Sequence, residues 1–473
     1  MPDATPSTPD TPAVTDVPDS HVFAHAFVTN IGGAGMSAVA TLLAEQGHAV
    51  SGHDPAETTP FVDPLRALGV TVATGAGAPP LADDVTAVVV STATPADAAP
   101  VVAARERGLP VLHRSDALAA LTRDRTTVSV AGTHGKTTTS AMLATILDGV
   151  GVQPGWVVGA PIPGLGRSSA WGGGGPLVVE ADESDGTFLR LVTDVAVVTN
   201  VEPDHLEHYG SFEALVDAFR TFLRAADRRV VCVDDLLAAD LAGAIGAVTY
   251  GTDPSADVRI ADAKSTASGL AFQLVRVDEP PVPVELRVHG MHNARNATAA
   301  MVAATLVGVP LADAAGALRD YVGVARRFEA RGTAFGATLV DDYAHLPTEV
   351  EAAIAAAREL DGRRVVCVFQ PHRYSRTAAH GPDFASAFTE ADLVAVTEVY
   401  AAGEAPRDGV SGKLVVDAVL DAHPEAQVAY LPGLDDVVAW LRATLRPGDV
   451  CLTLGAGDLT SVPTRLVELS TRA

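Results

Sequence analysis

The run Gly132-Thr133-His134-Gly135-Lys136-Thr137 brings two glycines, an ammonium and two hydroxyls into six residues. Backbone N–H groups freed by a glycine turn, together with the positive end of a helix dipole, make a cradle for phosphate. Lys136 adds a point charge, and Thr137, followed by Thr138, offers a hydroxyl to a magnesium ion. The expected guest is a nucleoside triphosphate. The spacing is a shortened variant of the strict Walker pattern, since Val130 stands where that pattern asks for a glycine. Lys136 is one of three lysines in 473 residues, in a chain that otherwise uses arginine. Metal-type ligands gather at two further points. One is Glu180 with Asp182, Glu183 and Asp185; the other is Asn200-Val201-Glu202-Pro203-Asp204-His205. Carboxylate oxygens suit magnesium and an imidazole can add a nitrogen donor. The alternative for the acidic run is a solvated turn, and for His205 a core or capping histidine.

These residues need strands and helices to position them. Thr127 to Ala131 reads as a buried strand feeding the glycine turn, and Ala141, Leu143, Ala144 and Leu147 follow at helix spacing. Leu177 to Glu180 and Val195 to Thr199 are apolar strands ending in the two ligand-rich tips, so a carboxylate and an imidazole are expected to meet over the phosphate loop. Nearer the start, His25 to Asn30 is a strand leading into Ile31-Gly32-Gly33-Ala34-Gly35-Met36-Ser37, followed by a second strand from Ala49 to Asp54. This is the outline of a dinucleotide fingerprint, with Asn30 in place of the first glycine. Asn tolerates left-handed backbone better than most residues, so the turn can survive. Asp54 lies where a ribose-binding acid would sit, and the plain alternative is a solvated loop carboxylate. Ser91 and Arg114 follow further apolar strands; Arg114 is either a phosphate ligand or a surface arginine opening a helix.

Later in the chain, Phe212 to Leu223 has the spacing of an amphipathic helix, Arg229 to Asp234 reads as a strand, and 251–288 alternates like β structure. Gly290-Met291-His292-Asn293-Ala294-Arg295-Asn296 opens an alanine-rich helix, in which Asn293 either reads an adenine edge or serves as an N-cap. The last block repeats the scheme. Ala337 to Val340 ends in Asp341-Asp342-Tyr343-Ala344-His345, a helix runs to Leu360, and Val365 to Phe369 ends in Gln370-Pro371-His372-Arg373-Tyr374-Ser375-Arg376. Two arginines at one sheet edge match the fork geometry of a carboxylate; helix capping and surface charge are the alternative.

Composition bounds the function. The length asks for more than one core, and the patterns divide it into a tail over 1–20 and three α/β bodies over 21–122, 123–327 and 328–473. The tail is Pro, Thr and Asp without periodicity. A formal charge of −25 speaks against nucleic acid or an anionic membrane as partner. Cys232, Cys367 and Cys451 are widely spaced and form no paired motif, which suggests a reducing compartment. With no signal segment and no run of about 18 apolar residues, a cytoplasmic protein is expected.

Taken in order, IGGAGMS, GTHGKTTT, VEADESD, TNVEPDHLEHYGSF, GMHNARNA, RRFE, DDYAHLPTEV, FQPHRYSRT and VYAAGE resemble the motifs of the Mur ligases over nearly the whole chain past the tail. The resemblance implies an N-terminal Rossmann-like domain for the UDP part of a substrate, a central phosphate-loop ATPase domain with a mostly parallel sheet, and a C-terminal Rossmann-like ligase domain. It implies ATP and Mg2+, with ATP converting the carboxylate of UDP-N-acetylmuramate to an acyl phosphate that the amine of L-alanine attacks. Roles then follow by resemblance. Gly132, Thr133, His134, Gly135, Lys136, Thr137 and Thr138 hold ATP; Thr137, Glu180 and His205 hold metal; Asn293, Asn296, Arg327 and Asp342 contact the nucleotide. Gly33, Gly35, Met36, Ser37, Asp54, Ser91 and Arg114 face the sugar nucleotide. Tyr343, His345, Arg373 and Arg376 shape the alanine and muramate end, His345 and Arg373 close to the chemistry.

Ala76, Ala344 and Leu346, like Asn30, depart from the family pattern. Sister ligases use a carbamylated lysine near the metals, and between Lys136 and Lys264 this chain has none. That implies the first amino-acid addition; a monomer or homodimer is expected. A ligase joining a whole peptide to the same sugar nucleotide is the nearest alternative. A nicotinamide-dependent dehydrogenase and a non-catalytic nucleotide-binding scaffold are the more distant ones.

Overall fold

The strand-and-turn pattern is borne out in a computed structural model of the chain, which describes residues 18–472 apart from 244, 267, 361 and 363. Most of the expected tail over 1–20 lies outside the described residues. The chain forms two compact units. One holds the described residues up to Pro161 with Leu165–Asp257 and Ala299–Ala314; the other holds Ile162–Gly164, Val258–Thr298 and the described residues from Ala315 on.

The first unit contains two sheets. The N-terminal one is five-stranded and parallel, in the order Thr71–Thr74, Ala49–Asp54, His25–Thr29, Ala87–Val90, Val111–His113. Strand order reverses beside His25–Thr29, the switch point at which an open α/β sheet leaves a crevice beyond its carboxyl ends. The turn from Asn30 to Gly33, with the start of the helix that follows it, occupies that place.

In the second sheet Thr127–Ala131 lies between Val195–Val198 and Leu177–Glu180, parallel to both. Each of these central strands is short and almost wholly buried, Ser129 and Thr127 included. The two ligand-rich tips therefore flank the glycine turn, one on either side. Helix Phe212–Ala225 begins at Ser211, whose hydroxyl accepts from the Ala214 N–H at 3.2 Å. It buries Leu215, Ala218, Phe219, Phe222 and Leu223, a stripe at three- and four-residue spacing. Phe219 and Phe222 pack on Phe188, ring centres 5.6 and 5.1 Å away. Full burial of each such side chain contributes about 1.5–3 kcal/mol. The strand expected from Arg229 to Asp234 stops at Cys232, since the Asp234 carboxylate turns to accept from the N–H groups of Thr252 (2.7 Å) and Asp253 (3.1 Å).

In the second unit Val258–Thr266, Gly269–Val275 and Val282–Leu286 pair antiparallel. A six-stranded sheet runs Glu329–Ala334, Ala337–Asp342, Val450–Leu454, Val365–Phe369, Leu393–Val396, Val428–Tyr430, parallel except for the first pair. Alternation along Val365–Phe369 sends Val365, Cys367 and Phe369 into one core and Val366 and Val368 into another, as a two-faced sheet requires. The expected helix to Leu360 is observed as Pro347–Arg358. Among the described residues no helix is long and apolar enough to cross a membrane.

Candidate active site

Helix Lys136–Gly149 starts from Gly135, whose backbone is left-handed (φ 80°) and which makes no side-chain cap. The first N–H groups of a helix have no intrahelical partner, and here nothing from the cap residue takes their place. Gly132, at φ 132°, could carry no side chain: a Cβ there would lie 2.1 Å from the Thr199 hydroxyl. The loop is braced from the neighbouring strand tip. The Asn200 amide oxygen accepts from the His134 N–H at 2.8 Å and its NH2 donates to the His134 carbonyl at 3.1 Å; the Thr199 hydroxyl donates to the same carbonyl.

Lys136 is aimed by three acceptors: the carbonyls of Gly132 (2.7 Å) and Thr133 (3.3 Å) and Glu183 Oε1 (2.8 Å). Burial opposes charge on both members of this pair. For Lys136 the combined field of Glu183, Asp182 and Glu180 outweighs burial and raises its pKa; for Glu183 burial prevails over Lys136 and raises it too. The first keeps the lysine an ammonium, while the second shows how much the buried carboxylate depends on Lys136 for its charge. The four acids of the tip have four separate tasks. Glu180 accepts from the Thr137 hydroxyl at 2.9 Å and from the Gly159 N–H at 2.6 Å. Asp182 accepts from Ser184, Glu183 from Lys136, and Asp185 from Arg114 at 3.1 Å and from Thr187. The solvated-turn alternative therefore does not hold.

Thr137 and Glu180 bring two hard oxygen donors side by side beneath the helix N-terminus, a set that suits Mg2+. His205 is left-handed (φ 55°) at the start of the short helix Leu206–Tyr209, but its side chain does not cap. The ring instead lies 3.3 Å from Asp204 and 3.9 Å from Glu207. It is neither a core nor a capping histidine. Among the described residues no three His, Cys, Asp or Glu side chains form a ready metal cluster. Magnesium beside nucleotide phosphates needs only one or two protein carboxylates, so the donors present fit it.

A cleft joins this tip to the N-terminal glycine turn; Gly35, Arg114, Val157, Glu180, Asp182 and Phe188 line it. Asn30 takes the left-handed conformation expected of it (φ 49°). Asp54 is buried, and its carboxylate accepts from the Gly32 N–H at 2.8 Å and the Ala56 N–H at 2.9 Å, which rules out a merely solvated loop acid. Arg114 opens helix Arg114–Arg123 but lies across Gly35, where any Cβ would meet its guanidinium at 2.7 Å. Met36 and Ser37 are buried in the first turns after Gly33, and Ser91 is tied to Thr94. Thr138 is buried in the phosphate-loop helix.

In the second unit Asn293 and Asn296 are both buried on helix Met291–Leu306. Asn293 is not its N-cap: it is the third helical residue, and its NH2 donates to the His289 carbonyl at 2.7 Å. Asp342 ends its strand with both oxygens engaged, by the N–H groups of Phe328 (2.6 Å) and Ala344 (2.7 Å). Burial nevertheless lifts its pKa to about 6, against the pull of Arg327. The guanidinium of Arg327 lies 4.9 Å over the Tyr343 ring. His345 sits 3.2 Å from Glu349 and edge-on to His372, ring centres 5.8 Å apart. His372 stacks on Tyr400 and accepts from Arg376 at 2.9 Å; burial, His345 and the two arginines push its pKa down to about 3, so it is neutral. Arg373 is left-handed (φ 66°) and its Nε is buried without a partner, while Glu404 grips the N–H and hydroxyl of Ser375 in the same turn. Tyr343, His345, Arg373 and Arg376 thus gather with His372 at one sheet edge.

Three contributors escaped the reading of the sequence as individuals. Glu183 and Asn200 lie inside tips that were singled out, but their partners are 47 and 66 residues away, and only the strand order shows them. Glu404 closes the VYAAGE stretch, but its partner Ser375 is 29 residues away and only the fold shows the contact.

Three domain descriptions match the chain: the Mur ligase family catalytic domain over 27–126, the Mur ligase middle domain over 176–304, and the Mur ligase glutamate ligase domain over 326–457. A UDP-N-acetylmuramate–L-alanine ligase of Kineococcus radiotolerans is 47% identical over 93% of this chain and 94% of its own. One from Bradyrhizobium diazoefficiens is 42% identical over 91% of this chain and 94% of its own. The crystal structure of the UDP-N-acetylmuramate–alanine ligase of Thermotoga maritima matches with a TM-score of 0.75 at 29% identity, covering 94% of this chain and 99% of that one. With matches of this extent from end to end, the chain belongs to the Mur ligase family.

Proposed function

We propose that the chain joins L-alanine to the carboxylate of UDP-N-acetylmuramate, with ATP cleaved to ADP and phosphate, in the synthesis of peptidoglycan precursors. The observation that carries this reading is the cleft running from the N-terminal glycine turn, past Arg114, to Glu180 beside the phosphate loop. A sugar nucleotide held at one end would present its carboxylate to a triphosphate held at the other. The full-length likeness to L-alanine ligases supplies the substrates.

A bare carboxylate is a poor acyl donor. The terminal phosphoryl of ATP passes to a carboxylate oxygen as its bond to the β-phosphate oxygen breaks, giving ADP and an acyl phosphate. The neutral amine of L-alanine then attacks the acyl carbon, loses a proton, and inorganic phosphate leaves. Lys136 neutralises charge on the transferring group, and the free N–H groups after Gly135 hold the phosphates. Thr137, Glu180 and His205 would hold magnesium, whose chemistry when bound is to neutralise and align phosphate oxygens. Asn293 and Asn296 would meet adenine, Arg327 and Asp342 the nucleotide. Gly33, Gly35, Met36, Ser37, Asp54, Ser91 and Arg114 would hold the sugar nucleotide. His345, Arg373, Arg376 and Tyr343 would receive the alanine carboxylate, for which two guanidinium forks beside the neutral His372 ring are suited. The domain limits 21–122, 123–327 and 328–473 divide these tasks. The reaction belongs to the cytoplasm, where ATP and sugar nucleotides are made.

The test is ADP release with UDP-N-acetylmuramate and, in turn, L-alanine, glycine, L-serine and a murein tripeptide. L-Alanine is expected to give the highest kcat/KM; a preference for the tripeptide would replace this reading with a peptide-recycling ligase.

A further inference from the structure

Glu183 is as deeply buried as the core, 1% exposed, and touches the lysine of a loop that must admit a polyanion. A carboxylate there repels phosphate, and burial without compensation is costly. Its position is nevertheless specified from several sides. Oε1 accepts from Lys136 Nζ at 2.8 Å, and its backbone carbonyl accepts from the Tyr209 hydroxyl at 2.6 Å and from the Gly186 N–H at 3.0 Å. Oε2 is buried with no hydrogen-bond partner.

An ammonium has three protons. Those of Lys136 are met by the carbonyls of Gly132 and Thr133 and by Glu183. The two carbonyls belong to the phosphate loop itself and fix where the lysine stem lies. A phosphate oxygen seeking the ammonium must therefore take over the direction that Glu183 occupies.

We propose that Glu183 is a positioning residue and the resident competitor for Lys136: its carboxylate aims the ammonium across the loop and yields it to the terminal phosphate of the bound nucleotide. The proposal rests on the ligase reading for the identity of that nucleotide. Affinity is surrendered so that the lysine is already aligned, and so that the ADP and phosphate formed can be displaced again. A residue of this kind has a signature that a merely structural acid lacks. Its neutral isostere binds nucleotide more tightly, because the phosphate no longer competes with an anion.

The experiment is calorimetric titration of the full chain with MgATP, wild type against Glu183→Gln, with UDP-N-acetylmuramate titrated into both. Wild type failing to bind MgATP at all would sink the ligase reading itself. Given binding, Glu183→Gln is expected to lower the Kd for MgATP at least about fivefold. It should leave the Kd for UDP-N-acetylmuramate unchanged, and KM for ATP and kcat should fall together as products are held longer. An unchanged or weakened MgATP affinity overturns the proposal. If Glu183→Gln does not fold, Glu183→Asp keeps the charge but withdraws it by one methylene; a smaller tightening supports the proposal and a loosening refutes it.

Discussion

Replacing Lys136 by alanine tests the centre of the site, and two different losses must be kept apart. The first is catalytic. The Lys136 side chain is 13% exposed and held by three acceptors at 2.7, 3.3 and 2.8 Å, so its charge acts in a medium of low dielectric and needs no reorganisation during phosphoryl transfer. Removing one such donor costs about 10³-fold in kcat, or about 4 kcal/mol of barrier. The second loss is structural, since Lys136→Ala strands Glu183, whose side chain is 2% exposed. A buried charge left without its partner destabilises by about 3–5 kcal/mol. Because burial already raises the pKa of Glu183, that cost shrinks at acidic pH as the carboxyl takes up a proton. The double variant Lys136→Ala/Glu183→Gln removes both charges and should recover most of the stability while remaining inactive. Urea unfolding measures the stability, and coupled ADP release with UDP-N-acetylmuramate and L-alanine measures the rate. A folded double variant working within tenfold of wild type would refute the assignment of Lys136 to the transfer step.

Glu180→Gln keeps an acceptor for the Thr137 hydroxyl but loses a charge, so the Mg2+ concentration for half-maximal ADP release should rise at least about tenfold, read from a metal titration after chelation. Gly132→Ala places a Cβ 2.1 Å from the Thr199 hydroxyl on a backbone at φ 132°, which a side chain rarely adopts. It should lower the midpoint of thermal unfolding and abolish MgATP binding by calorimetry, whereas retained binding would show that the loop can move aside. Asp342 is an acid whose pKa rises on folding from 3.8 to about 6, so its folded form binds the proton more tightly. The stability it confers is fully present below about pH 4 and is lost as pH climbs through 6, a difference of about 3 kcal/mol. Asp342→Asn should flatten the pH dependence of unfolding across that window, and an unchanged slope would mean that another group titrates there.

The sequence alone determined the strands and the turns. Thr127–Ala131, Leu177–Glu180 and Val365–Phe369 stand as their largely apolar runs imply, because a strand buried on both faces is mostly apolar and the charged residues that follow mark its tip. The residues at those tips, including Lys136, Glu180, His205, Asp342 and Arg373, were legible for the same reason: polarity directly after a buried run is a local signal. Asn30 could be read as a left-handed substitute for glycine because that preference belongs to the residue itself. Tertiary structure alone decided which tips face each other. Glu180 and His205 flank the loop from opposite sides because Thr127–Ala131 is inserted between two strands that come later in the chain. The same insertion sets Glu183 on Lys136 and Asn200 on His134, while Arg114 crosses Gly35 because the glycine turn and its helix share one wall of the cleft. Periodicity is a property of neighbours along the chain. Pairing depends on crossover connections and on the burial that a whole sheet achieves, and no short window of sequence contains either.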